Sequence, residues 1–134
     1  MAIHGLAHVG VFVSDLERTK RFYRDVLGFE ITWECLVGDG SDAVRAAFAQ
    51  SGSCILELVE SPAAAGRVDG PVDHIALAVT DIEDMHAALL KKGVQFETDE
   101  VIFCDRVFPN GSKWILFRGP DQEHLELTEV LPYK

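Results

Sequence analysis

The sequence is poor in the features that would tie a chain to a membrane, a nucleic acid or an oxidising compartment. No apolar run reaches the ~20 residues needed to span a bilayer. The first residues, MAIHGLAH, lack the basic start and apolar core of a secretory signal, which points to the cytoplasm. Cysteine is scarce: Cys35, Cys54 and Cys104 are odd in number, scattered, and form no CxxC pair. Neither a disulfide framework nor a zinc knuckle is indicated. Positive charge is also short, with 12 Lys and Arg against 22 Asp and Glu and a net charge of −10. Such a surface repels phosphate backbones, so nucleic acid is not the expected partner, while an anionic small ligand stays open. No low-complexity tract occurs. What is present is ordinary for a globular protein: 134 residues, 48% apolar and 25% charged, which suits one compact domain or two small modules sharing a core.

The chain repeats itself. His8–Glu17 reads HVGVFVSDLE and His74–Glu83 reads HIALAVTDIE, and the two align without a gap. Each begins with His on an alternating strand. Each continues with a hydroxyl, Asp, an aliphatic and Glu (Ser14 to Glu17, Thr80 to Glu83), the pattern of a capping box at a helix start. The helices that follow are expected to end near Leu27 before Gly28 and near Lys92 before Gly93. The halves also close alike, Cys54–Glu60 as CILELVE and Glu123–Glu129 as EHLELTE. Each half therefore reads as strand, helix and three strands. The predicted strands lie near 3–13, 29–37, 44–50 and 53–60, then near 73–80, 94–102, 113–118 and 123–130. Residues 61–71, with Pro, Gly and three alanines, read as a linker, and 105–112 as a turn. The expected class is α+β, with two βαβββ modules at about 1–60 and 72–134 in a single domain over 1–134.

Alternation assigns the faces. Val9, Val11 and Val13, Leu56 and Leu58, Ile75, Leu77 and Val79, and Leu125 and Leu127 make rows for the covering helix of each half. His8, Glu57, His74 and Glu126 then point to the other, concave face. A lone strand His is more often a satisfied, partly buried residue than a ligand, and a strand Glu can simply meet water. Two His and two Glu at matching positions of a repeat, however, suit one divalent metal, because imidazole and carboxylate are good first-row ligands and two carboxylates balance the charge. Without thiolates, a closed structural zinc site is disfavoured, and an ion that keeps open positions for water or substrate oxygens is more natural. Phe12 and Ile55 share the concave face and read as an apolar wall of either pocket or core. His124, two residues before Glu126, could touch substrate, bond a ligand, or be a strand-end His near solvent. Trp33 and Trp114 fit the cup or sheet-edge packing equally well.

These stretches resemble the vicinal oxygen chelate superfamily, which includes glyoxalase I, methylmalonyl-CoA epimerase, extradiol dioxygenases, and fosfomycin- and bleomycin-resistance proteins. The carrying motifs are HVGVFVSDLERTKRFYRDVLGFE, ILELVE, VDHIALAVTDIED and LFRGPDQEHLEL. The last departs from the family's closing motif at Gly119, usually Asp, and at Gln122, usually Gly. The resemblance implies a cupped, barrel-like mixed sheet with helices on the outer face. It implies one divalent ion (Ni, Co, Zn, Mn or Fe) held by His8, Glu57, His74 and Glu126. The implied activity is that of a metal-dependent lyase or isomerase of glyoxalase I (lactoylglutathione lyase) type. Its proton transfer runs through a metal-bound enediolate, with Glu126 as base and Glu57 as its partner. The substrate would be a small molecule, such as a thiol adduct or thioester, and the protein a homodimer. The positions at which glyoxalase I relatives contact glutathione with Arg and Asn hold Phe12 and Ser61 here, which puts that substrate in question. Alternatives on the same scaffold are an acyl-thioester epimerase, a ring-cleaving dioxygenase and a metal-free small-molecule or antibiotic-binding resistance protein.

Overall fold

The computed structural model describes residues 1–66 and 69–132. The chain divides into two compact units, Met1–Arg67 and Val68–Lys134. The first holds β1 (Val9–Val13), α1 (Leu16–Arg21), β2 (Glu30–Val37), β3 (Val44–Ser51) and β4 (Cys54–Glu60). The second holds β5 (Ile75–Ala78), α2 (Ile82–Lys91), β6 (Ile102–Cys104), β7 (Ser112–Arg118) and β8 (His124–Val130). Each unit builds one mixed sheet, in the order β1-β4-β3-β2 or β5-β8-β7-β6. The first strand runs parallel to the last, and the remaining pairs are antiparallel. The βαβββ repeat is thus present in both halves. The sheets are open four-stranded layers, so the barrel-like closure expected from the resemblance is corrected to two separate sheets.

The alternation explains which face is covered. Leu56, Leu58 and Leu125 are completely buried and Leu127 nearly so, beneath helices that pack on β3 and β4 in the first unit and on β7 and β8 in the second. Burying one such side chain contributes about 1.5–3 kcal/mol. Glu57 and Glu126 lie between these leucines and so emerge on the opposite face. In register beside them stand Gly10 and Ala76, small residues that leave each carboxylate room.

Several expected boundaries move. β1 begins at Val9 instead of Ile3, and β5 covers Ile75–Ala78 instead of 73–80. The strand expected over 94–102 is not a strand. Phe96 makes a single bridge to Phe117, and the Glu97 amide donates to the Leu116 carbonyl at 2.8 Å. Thr98 Oγ1 then donates to the Glu100 carbonyl at 3.1 Å and turns the chain away, so pairing resumes only at Ile102. α1 continues past Arg21 as a wider turn over Phe22–Val26, in which the Leu27 amide reaches the Phe22 carbonyl at 3.2 Å. Gly28 and Gly93 follow the two helices at φ of +78° and +86°, the left-handed geometry glycine tolerates.

The helix starts also differ from the capping-box expectation. The caps are Asp15 and Asp81 instead of Ser14 and Thr80. The Asp15 carboxylate accepts from the Arg18 amide at 3.1 Å. Asp81, at φ +52°, makes no side-chain cap bond. Both helices are instead held by a glutamate at or next to the end of the last strand of the same unit. The Leu16 amide donates to Glu60 Oε2 at 3.0 Å, and the Ile82 amide donates to Glu129 Oε1 at 2.9 Å. A full negative charge at the positive end of a helix is favourable, and here it also ties helix to sheet.

Candidate functional site

His8 directly precedes β1 and His74 directly precedes β5, so neither lies within its strand as expected. Each ring faces the glutamate of its own unit. His8 Nε2 stands 3.7 Å from Glu57 Oε1, and His74 Nε2 stands 3.4 Å from Glu126 Oε2. The glutamates are the more enclosed partners, with side chains 23% and 15% exposed. Among the described residues, neither carboxylate is paired with Lys or Arg. Two partly buried carboxylates facing imidazole nitrogens, without a cation to balance them, are the chemistry of a divalent-metal donor set. Donors bound at ~2.1 Å to one ion stand roughly 3–3.5 Å apart, close to the separation within each pair.

The second unit adds a network behind its histidine. His74 Nδ1 lies 2.8 Å from Asp73 Oδ2. Donation of the Nδ1 proton to that carboxylate leaves the Nε2 lone pair facing Glu126. His124, the first residue of β8, packs edge-on against His74 with ring centroids 5.8 Å apart. Its side chain is 10% exposed, and neither ring nitrogen makes a well-formed hydrogen bond. Nδ1 lies 3.4 Å from Asp73 and 3.9 Å from Asp69, and Nε2 lies 3.3 Å from Glu97. Asp73, His74 and His124 thus bring three donor atoms within 4.8 Å of one another. Arg118 organises the surrounding acids. Its Nη1 donates to Asp69 at 2.6 Å and its Nε to Glu97 at 2.7 Å. The bond to Arg118 holds the Asp69 carboxyl below its usual range.

Both departures from the closing motif lie in the turn into β8. The Glu123 side chain folds over Gly119, where a Cβ would fall 1.9 Å from its Oε1. Its carboxylate accepts from the Asp121 amide at 3.0 Å. A larger residue at 119 would displace the Glu123 side chain from this position. Gln122 takes φ of +66°, a conformation glycine would occupy without strain.

In the first unit, a recess of about 300 Å³ opens beside His8, walled by Thr32, Trp33, Phe48, Gln50 and Ile55. Phe48 meets the His8 ring edge-on at 5.8 Å. Ile55 thus lies where an apolar wall was expected, whereas Phe12, 62% exposed, stands outside the lining. The sequence reading missed Phe48 and Asp73. Phe48 is the register partner of Glu57, and the alternation of β3 carried that signal. Asp73 had none, because Ala7 precedes the first His of the repeat.

Residues 5–127 match the sequence profile of the glyoxalase/bleomycin resistance protein/dioxygenase superfamily. The chain belongs to that superfamily. It is 31% identical over 127 residues to the uncharacterised protein YaeR of Escherichia coli (strain K12), covering 91% of this chain and 93% of that one. A glyoxalase family protein from Enterococcus faecalis has a similar crystal structure, with a TM-score of 0.74 and 28% identity over 96% of this chain and 100% of that one. The fosfomycin resistance protein FosX from Listeria monocytogenes, solved with Mn(II) and sulfate, shares the fold. Its TM-score is 0.71 at 18% identity, over 97% of this chain and 95% of that one. No helix among the described residues is long and apolar enough to cross a membrane.

Proposed function

We propose that this protein is a metal-dependent lyase or isomerase of glyoxalase type that moves a proton beside a carbonyl of a small substrate presenting adjacent oxygens. The observation that carries the reading is the repeated His–Glu pair, with Nε2 at 3.7 and 3.4 Å from a partly buried carboxylate that no Lys or Arg among the described residues neutralises. By the resemblance, the two pairs, His8 with Glu57 and His74 with Glu126, would be the ligands of one divalent ion (Ni, Co, Zn, Mn or Fe), in a homodimer. The ion, when bound, supplies Lewis-acid polarisation of the substrate oxygens. The remaining work falls to the chain. Glu126 takes the proton at Oε2 and returns it at the neighbouring carbon. It is the base because its carboxylate is the more enclosed and its imidazole partner is held by Asp73. Glu57 would supply the second carboxylate charge that balances the ion. Support from outside the chain is the superfamily and the use of the same fold for Mn(II) in FosX.

The test is metal content by mass spectrometry on untagged protein, beside Glu126→Ala. The expected outcome is near-stoichiometric metal in the wild type, mostly lost in the variant, followed by turnover in a screen of thiohemiacetals. Failure to bind any of the five ions after incubation would overturn the reading.

A further inference from the structure

We infer that the recess beside His8 receives an uncharged aromatic group of the substrate, not an anionic one; this rests on the metal-site reading above. Trp33 and Phe48 line it with aromatic rings and Ile55 with an aliphatic side chain, while Thr32 and Gln50 are its uncharged polar residues. Among the described residues, no Lys or Arg lines the recess. Two cations of the same unit are committed elsewhere: Lys20 bonds Glu34 at 2.6 Å as well as Glu17, and Arg45 bonds Glu17. An anion placed in the recess would lose hydration without gaining a Lys or Arg partner among the described residues, in a protein whose net charge is already −10. An aromatic ring would instead bury apolar surface against Trp33, which is 66% exposed. At about 300 Å³ the recess suits a group of ring size, the low end of the ~300–1,000 Å³ range of small-ligand pockets. Because His8 forms part of the wall, a ring lodged here lies next to a metal donor, so one substrate could present its adjacent oxygens and its ring together.

Three hydroxamates separate this inference from the reading beneath it. All chelate a divalent ion through adjacent oxygens and differ in what they append: acetohydroxamate a methyl, benzohydroxamate a phenyl, phosphonoacetohydroxamate an anion. Titration calorimetry on the Mn(II)-loaded protein should give benzohydroxamate roughly ten- to a hundredfold tighter binding than acetohydroxamate, from burial of the phenyl surface. Phosphonoacetohydroxamate should be no tighter than acetohydroxamate. Trp33→Ala, an exposed position that the fold does not need, should collapse the phenyl preference several-fold and leave acetohydroxamate unchanged. Equal affinities for phenyl and methyl, or a preference for the phosphonate, overturn the inference and leave the metal site standing. If none of the three binds, the metal reading has failed, and the recess is tested alone with benzyl alcohol. A shift of the Trp33 indole N–H resonance, identified by its absence in Trp33→Ala, supports the inference, and no shift overturns it.

Discussion

The two units share a topology, a register and a His–Glu pair, yet they surround that pair differently. Around His8 the neighbours are a phenyl edge and an apolar recess. Around His74 they are a carboxylate at 2.8 Å, a second imidazole, and acids fixed by Arg118. The surroundings of the first pair are apolar and uncharged, and those of the second are ionic and rich in hydrogen-bonding groups. A duplicated scaffold thus keeps its His–Glu positions while the residues behind them diverge, and on the proposed function the divergence predicts which half performs which task.

That division is open to attack, beginning with the largest effect. Glu126→Gln should lower turnover by about 10²–10⁴-fold in a steady-state assay, the worth of a general base, whereas Glu57→Gln should cost distinctly less. Equal losses would break the assignment of proton transfer to the second unit. Asp73→Asn should weaken metal affinity roughly 10–100-fold in a competition titration, as removal of a ligand's hydrogen-bond partner usually does. Its counterpart position is Ala7, so Ala7→Gly should leave the affinity unchanged. A matched pair of core changes probes the shared part: Leu58→Ala and Leu127→Ala should each cost about 2–5 kcal/mol in denaturant unfolding, because the two sheets bury equivalent leucines. The smallest effect concerns acid. Asp69 is held below its unfolded value by Arg118, so its contribution to stability is present above that unfolded value and is lost as pH falls through the folded one. Asp69→Asn should therefore lower the melting temperature slightly at neutral pH and not at all in strong acid, by calorimetry across pH.

Strict alternation made the sheets legible. In CILELVE and EHLELTE the buried leucines and the emerging glutamates fall where a period of two puts them, and His8 and His74 follow from the repeat. The strand expected over 94–102 failed because Thr98 and Glu100 form a local turn that outcompetes the ladder, and a run rich in β-branched residues at its ends conceals that. The capping boxes misled for a related reason. Ser14 and Thr80 have the right spacing, but a charged acceptor from a distant strand reaches the helix start first. Asp73, Asp69 and Glu97 were invisible as a group, since only folding brings 69, 73, 97 and 124 around one ring.

The strand-end glutamates carry one more consequence. In each unit the segment Leu-Glu-Leu-x-Glu holds two acids three positions apart, which a strand sends to opposite sides. Glu57 and Glu126 face the histidines, while Glu60 and Glu129 hold a helix. A saturation screen scored by activity would find all four intolerant and could not tell them apart. Scored by the amount of folded protein in the cell, the two kinds separate: changes at 60 and 129 deplete the protein itself, and changes at 57 and 126 leave abundant, silent molecules.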